Sequence, residues 1–273
     1  MELWITELQV PGLKISCQTT ETLRLETTAF QELAVVKTEV YGRMLILDGA
    51  IQITEKDEFV YHEMISQVAL NSHPHPQRVV IIGGGDGGTL REVVKNPAVT
   101  EGILVEIDER VIQAGRDYFP NLSCSFSDPK ARLMITDGIQ FVKEHKNSFD
   151  VIIVDSTDPV GPAVELFSQT FYGNCYEALK DDGMLVVQSE SPFLNEDVIK
   201  MAFGGISKAF PLTKLYLANV PTYPSGLWSF TIGSKKYDPE KPVVNPQLNW
   251  KYYSPDVHEA AFKLPPFVAK IIE

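Results

Sequence analysis

Three glycines at positions 83, 85 and 88 satisfy a G-x-G-x-x-G spacing within Gly83-Gly84-Gly85-Asp86-Gly87-Gly88. The run follows the apolar stretch Arg78 to Ile82 and precedes the helix-like Thr89-Leu90-Arg91-Glu92-Val93-Val94, the context in which such a loop receives a nucleotide. Glycines there allow a tight turn and a close approach of ligand to backbone, and the helix start offers unpaired N–H groups. Asp86 changes the chemistry. A carboxylate inside a pyrophosphate loop would repel phosphate by about 1 kcal/mol or more at short range. The better ligand is a nucleoside carrying positive charge, which turns the reading from a dinucleotide towards a sulfonium nucleoside of the S-adenosylmethionine kind.

Further acids follow at strand ends. Glu106 in Val105-Glu106-Ile107-Asp108 lies 21 residues after Gly85, near the offset at which an acid meets ribose hydroxyls. Asp108, just before Glu109-Arg110-Val111-Ile112, fits a helix cap more naturally. Asp137-Gly138 can offer a carboxylate to an adenine amino group and a backbone N–H to a ring nitrogen. Asp155-Ser156-Thr157-Asp158-Pro159 brings two more acids to the end of another strand. With Asp86 they make three carboxylates around one expected pocket, an arrangement that calls for cationic company. Amine binding fits best, with metal ligation and structural capping as alternatives.

These residues need a scaffold. Period-two alternation in Leu33 to Thr38 and Met44 to Leu47, with turns at Tyr41-Gly42 and Asp48-Gly49, predicts a small β unit over residues 1–60. Helical character is expected from His62, through Glu63 to Leu70, closed by Pro74 and Pro76. Residues 61–273 then form a second domain. Its strand candidates are Arg78 to Ile82, Gly102 to Ile107, Ala131 to Ile135, Phe149 to Asp155 and Met184 to Gln188, with helical segments between. That rhythm predicts an α/β fold: a parallel, doubly wound sheet with ligands at the carboxyl ends of its strands. Lys214 to Val220 and Leu227 to Ser234 suggest a final antiparallel hairpin at the sheet edge, and the tail after Tyr237 is expected to be a surface strap.

Composition narrows the classes. There are 24 Lys plus Arg against 36 Asp plus Glu, a formal net charge of −12. With no basic run, a sequence-independent grip on nucleic acid is not expected, and the field favours cationic small molecules. The longest apolar runs, such as Val79 to Ile82, fall far below the roughly 20 residues a bilayer needs. The first seven residues carry acids, Glu2 and Glu7, where a secretory signal would carry basic residues, and no long apolar stretch follows. Cys17, Cys124 and Cys175 show no metal-ligand or disulfide pattern. A cytoplasmic protein with free thiols is expected.

Taken together in this order, the motifs resemble those of the spermidine synthase family, the polyamine aminopropyltransferases. The most specific are Leu45-Ile46-Leu47-Asp48-Gly49-Ala50-Ile51-Gln52, Tyr61-His62-Glu63, the glycine loop, Glu106-Ile107-Asp108, Asp137-Gly138 and Asp155-Ser156-Thr157-Asp158-Pro159, and the resemblance runs nearly end to end. It implies a Rossmann-like, methyltransferase-type sheet with a small N-terminal β domain. It further implies transfer of an aminopropyl group from decarboxylated S-adenosylmethionine to putrescine, giving spermidine and methylthioadenosine. The nucleoside is a co-substrate, and neither cofactor nor metal is expected. By the family pattern Gln31, Gly83, Gly85, Glu106, Asp137, Gly138 and Pro162 surround the nucleoside. Tyr61, His62, Asp86, Asp155, Ser156, Thr157, Asp158 and Tyr223 line the aminopropyl and diamine end, with Asp155 as the catalytic residue and Gln52, Gln188 and Trp228 as weaker candidates. A homodimer or homotetramer is expected, partly because the small β unit has open edges. The rivals are a methyltransferase using the intact donor, against which Asp86 argues by repelling its carboxylate, and a non-catalytic polyamine binder, which would be expected to lose the acids.

Overall fold

The structure is a computed structural model that describes residues 2–157, 161–244, 246 and 249–273, without the side chains of 161 and 162. The first 54 residues form an antiparallel meander of five strands in sequence order: β1 (Leu3–Val10), β2 (Leu13–Thr27), β3 (Glu32–Thr38), β4 (Gly42–Leu47) and β5 (Ala50–Thr54). The turn between β4 and β5 places Asp48 at φ 48° and Gly49 at φ 81°, the pair of positive angles that a tight two-residue hairpin requires. Alternation then gives this sheet two apolar faces. Val36, Met44, Ile46 and Ile51 fill one. Leu33, Val35, Leu45, Leu47 and Ile53 fill the other, packing against Val111, Ala114, Phe119 and Leu122 of the following domain. The small sheet is thereby fixed over the nucleotide-type loop.

Helix α1 (Glu58–Ser72) starts four residues before His62, earlier than the sequence pattern suggested. Glu58, an acid in the first turn, suits the positive helix end, and Val60 and Tyr61, between it and His62, are buried in the core of the second domain, with Phe59 half-buried against it. The helix is apolar or buried nearly all round, since it is covered on every side.

Beyond it come β6 (Arg78–Gly83), α2 (Gly88–Lys95), β7 (Glu101–Glu106), α3 (Glu109–Tyr118), α4 (Pro120–Ser123), β8 (Ala131–Ile135), α5 (Gly138–Glu144), β9 (Phe149–Asp155), α6 (Gln169–Ala178), β10 (Leu179–Gln188), α7 (Glu196–Ala209), β11 (Leu212–Asn219) and β12 (Leu227–Ser234). They form one seven-stranded sheet in the order β11-β12-β10-β9-β6-β7-β8. Strands β10, β9, β6, β7 and β8 pair in parallel, and β12 and β11 close one edge as an antiparallel hairpin. Alternate residues serve opposite layers: Val79, Ile81, Val151 and Ile153 pack under α1 and α2, while Val80, Ile82, Ile152 and Val154 pack under α5, α6 and α7.

The C-terminal tail departs from the expected surface strap. It holds two short helices, α8 (Pro255–Ala261) and α9 (Pro266–Ala269), and buries Tyr253, Phe262, Val268 and Ile271. Its apolar residues close the layer that α1 leaves open, and the buried Glu63 carboxylate accepts the backbone N–H groups of Lys251, Tyr252 and Tyr253. No helix among the described residues is long and apolar enough to cross a membrane.

Candidate active site

Strand order reverses at β6, whose neighbours β7 and β9 lead away in opposite directions, and such a switch point opens a crevice at the carboxyl ends. Register sets the rim: Gly83 pairs with Asp155 across β6 and β9, and Glu106 with Ile135 across β7 and β8. One cavity spans this rim and the inner face of the N-terminal sheet. Among its lining residues are Gln31, Tyr61, His62, Gly83, Gly85, Asp86, Glu106, Asp137, Gly138, Asp155, Ser156, Thr157 and Tyr223, thirteen positions singled out from sequence. Gln52, Gln188 and Trp228 line it as well. Asp158 lies outside the described residues, as does the side chain of Pro162.

Asp155 is held at both oxygens. Tyr61 Oη donates to Oδ1 at 2.8 Å and Thr89 Oγ1 donates to Oδ2 at 2.6 Å. Burial, and then the Asp155 carboxylate itself, push the Tyr61 phenol well above its ordinary range, so it stays a donor. Gly84 exists here for close approach: it has φ +68°, and any side chain on it would collide with the Asp155 carboxylate.

Asp86 is 7% exposed, accepts the Gly88 N–H at 2.8 Å and lies 3.4 Å from His62 Nε2. His62 Nδ1 in turn meets Glu58 Oε2 at 2.6 Å, and Arg91 grips the two Glu58 oxygens at 3.0 and 2.9 Å. Burial lifts Asp86 to about 6, against the pull of His62 and with the push of Asp155.

At the other end, burial lifts Glu106 to about 7, although its Oε1 accepts the Asp108 N–H at 2.9 Å. Asp108 caps α3 through Arg110 N at 3.0 Å and also receives Gln31 Nε2 at 3.0 Å and Thr28 Oγ1 at 2.7 Å. Gln31 thus reaches the cavity while tied to the acid beside Glu106. Asp137 caps α5 with Oδ1, at 2.7 Å from Ile139 N and 3.4 Å from Gln140 N.

The wall is aromatic. The Tyr223 ring lies 5.5 Å from Tyr61 and 4.7 Å from Trp228, and its hydroxyl donates to the Gln52 carbonyl at 2.6 Å. Asp57 clamps that loop by accepting Thr222 N at 3.0 Å and Thr222 Oγ1 at 2.7 Å. Two of the lining residues, Trp228 and Ser156, each carry a buried polar atom, Nε1 and Oγ, that has no hydrogen-bond partner.

Sequence reasoning missed Thr89, Glu58, Arg91 and Glu7. Thr89 follows the glycine loop directly, and the Glu58–His62 spacing of four on a helix was a usable signal. Glu7, a buried acid of β1, lines the cavity from the N-terminal sheet, a placement no local spacing announces. Among the described residues one cluster, away from this cavity, could hold a metal by distance: His73, Asp150 and Asp182, with ligand atoms within 4.8 Å of one another. Its chemistry is already used. Asp150 holds the Lys180 ammonium at 2.9 Å, and His73 Nδ1 accepts the His75 N–H, which puts the ring proton on Nε2 where a metal would need a lone pair.

Two family models match this architecture: a spermidine synthase tetramerisation domain over residues 3–55 and a spermine/spermidine synthase domain over residues 58–243. The chain belongs to the spermidine synthase family. It is 54% identical to the polyamine aminopropyltransferase of Caldicellulosiruptor bescii, over all of this chain and 99% of that one. It is 55% identical to that of Desulforudis audaxviator over 98% of each. Among solved structures, a spermidine synthase in complex with the transition-state analogue AdoDATO superposes with a TM-score of 0.96 at 43% identity, covering 99% of this chain and 94% of that one. The spermidine synthase of Thermotoga maritima gives 0.94 at 42%, with the same coverage. The chain is accordingly an enzyme of the aminopropyltransferase class, on the methyltransferase-like α/β fold expected from its motifs.

Proposed function

We propose that the enzyme transfers the aminopropyl group of decarboxylated S-adenosylmethionine to putrescine, releasing spermidine and methylthioadenosine. The observation that carries this reading is the carboxylate of Asp155, pinned by Tyr61 and Thr89 in the cavity that also holds Asp86 and Glu106. Glu106 accepts the ribose hydroxyls, Asp137 the adenine amino group through the oxygen its cap leaves open, and Gln31, Gly83, Gly85, Gly138 and Pro162 complete the nucleoside side. Asp86, beside His62, faces the aminopropyl ammonium. Ser156, Thr157, Asp158 and Tyr223 hold the diamine. That a similar spermidine synthase binds a transition-state analogue supports a transfer reaction at this kind of site.

The amine nitrogen attacks the carbon next to sulfur, a C–N bond forms, the C–S bond breaks, and its electron pair neutralises the sulfonium. The sulfonium is already a good leaving group, so alignment is most of the work. An amine with a pKa near 10.4 is neutral in only about one part in 2,500 at pH 7, a cost of roughly 4.6 kcal/mol. Asp155 orients that amine and passes its proton to water or accepts it as the sulfonium charge disappears. A distal acid, Asp158 or the buried Glu7, holds the other ammonium so that one end alone becomes nucleophilic. The enzyme is further proposed to be cytoplasmic, to need no cofactor or metal, to bind no nucleic acid or membrane, and to assemble as a homodimer or homotetramer, for which the match to a tetramerisation domain is support.

Asp86 discriminates between donors. The carboxylate of intact S-adenosylmethionine would face it across a poorly solvated gap, a repulsion the decarboxylated donor lacks. In a thermal-shift titration the decarboxylated nucleoside should raise the melting temperature at concentrations where the intact one does not. Equal stabilisation by both would overturn this reading of Asp86.

A further inference from the structure

We propose that Glu58, held by Arg91, is a positioning residue for the aminopropyl end of the reaction: it fixes the buried His62 ring, protonated, as the ion-pair partner of Asp86. The proposal rests on the reading of Asp86 as the acid that meets the aminopropyl ammonium. Neither Glu58 nor Arg91 lines the cavity, whereas His62 and Asp86 both do.

The geometry leaves the ring little choice. Glu58 and His62 stand four apart on α1, which puts them on one helix face. His62 is 1% exposed, and the absence of a side chain at Gly88 is what admits the ring, since a Cβ there would overlap it. Glu58 Oε2 lies 2.6 Å from Nδ1, so that nitrogen carries a proton. The opposite nitrogen, Nε2, stands 3.4 Å from Asp86 Oδ1. A neutral ring with its proton on Nδ1 would leave an unprotonated nitrogen beside a carboxylate, whereas the doubly protonated ring makes an ion pair with it. Glu58 is set by the paired contacts from Arg91, whose Nε holds the buried Glu92 at 2.6 Å, itself contacted by Lys95 at 2.8 Å. The row Asp86, His62, Glu58, Arg91, Glu92, Lys95 therefore alternates in sign from the cavity to the surface.

The groups that face His62 are Glu58 on its own helix, Asp86 on the glycine loop and Arg91 on α2, with Asp155 of β9 beyond Asp86 and the Tyr61 ring 5.7 Å away. Burial pushes the imidazole down, but Asp86 and then Glu58 outweigh it and Arg91, raising it to about 9. Glu58 itself is drawn down to about 2 by His62 and Arg91, against its burial. Through this row a residue outside the cavity sustains an ionised Asp86 beside a second acid, Asp155.

The test uses Glu58→Gln in the full-length enzyme, with Arg91→Met as a second variant acting through the same contact. In wild-type enzyme, 15N-detected imidazole signals of His62 should stay doubly protonated at pH 8. In Glu58→Gln the ring should lose a proton at lower pH, the KM for the decarboxylated donor at pH 8 should rise about tenfold as a charge-assisted contact is weakened, and the alkaline limb of kcat/KM should move down. Binding of methylthioadenosine, which has no aminopropyl group, should change less than twofold, and Glu58→Asp should restore part of the donor KM. Equal loss of donor and methylthioadenosine affinity would reduce Glu58 to a structural role and overturn the proposal. So would a wild-type His62 titrating near its ordinary 6.5, a result that stands whether or not turnover is seen. If the imidazole behaves as expected but no aminopropyl transfer occurs, it is the reading of Asp86 that fails.

Discussion

The two ends of the cavity hold their acids in different ways. At the end proposed for the nucleoside, Glu106 and Asp137 are satisfied by backbone N–H groups two or three residues further along the chain. At the end proposed for the amine, Asp155 is gripped by side chains 94 and 66 residues away, and His62 joins α1 to the glycine loop. A local turn makes the first kind of site, and only the packed fold makes the second. Binding at the nucleoside end should therefore be robust to distant substitutions, whereas chemistry at the amine end should depend on them.

Asp155→Asn is the sharpest way to break this contrast. It should lower kcat on the order of 10² or more while methylthioadenosine binds as before, because in the proposed function the residue acts on the amine alone. Turnover close to wild type would show that Asp155 is not the residue around which the reaction is arranged. Glu106→Gln addresses the opposite end and should weaken methylthioadenosine by roughly tenfold or more, the worth of hydrogen bonds to a charged acceptor. Glu106 also gives the nucleoside end a pH signature. Its carboxyl is raised to about 7, and ribose hydroxyls prefer the ionised acceptor, so affinity should strengthen as pH rises through 7. Between pH 8 and 6 the loss should reach up to about tenfold, read by calorimetry, and Glu106→Gln should flatten it. Thr89→Val should have the smallest effect. Leaving one Asp155 oxygen without its donor should cost about 1 kcal/mol in kcat/KM, with methylthioadenosine affinity unchanged. A comparable loss of nucleoside binding would mean that the two ends are not separable.

The same contrast explains what could be read from sequence. Glu106 and Asp137 were legible because strand-end acids and helix caps are local signals, and the strands Ala131–Ile135, Phe149–Asp155 and Leu227–Ser234 were legible as apolar runs between turns. The start of α1 at Glu58 was hidden because burial by a distant sheet, not amphipathic periodicity, makes its first turn helical. The Pro and Tyr residues of the tail carry no period that would reveal its packing, yet Tyr253 and Phe262 complete the layer over α1. Thr89 was missed for the reason that separates the two ends, since its partner Asp155 is fixed by topology. Glu58 had a local signal in its spacing of four from His62, and only its Arg91 contact is fixed by topology.

The most direct measurement incubates purified enzyme with putrescine and either decarboxylated or intact S-adenosylmethionine and identifies the products by mass spectrometry. Spermidine and methylthioadenosine formed from the decarboxylated donor alone is the expected result. N-methylputrescine from the intact donor, or no product from either, would contradict it.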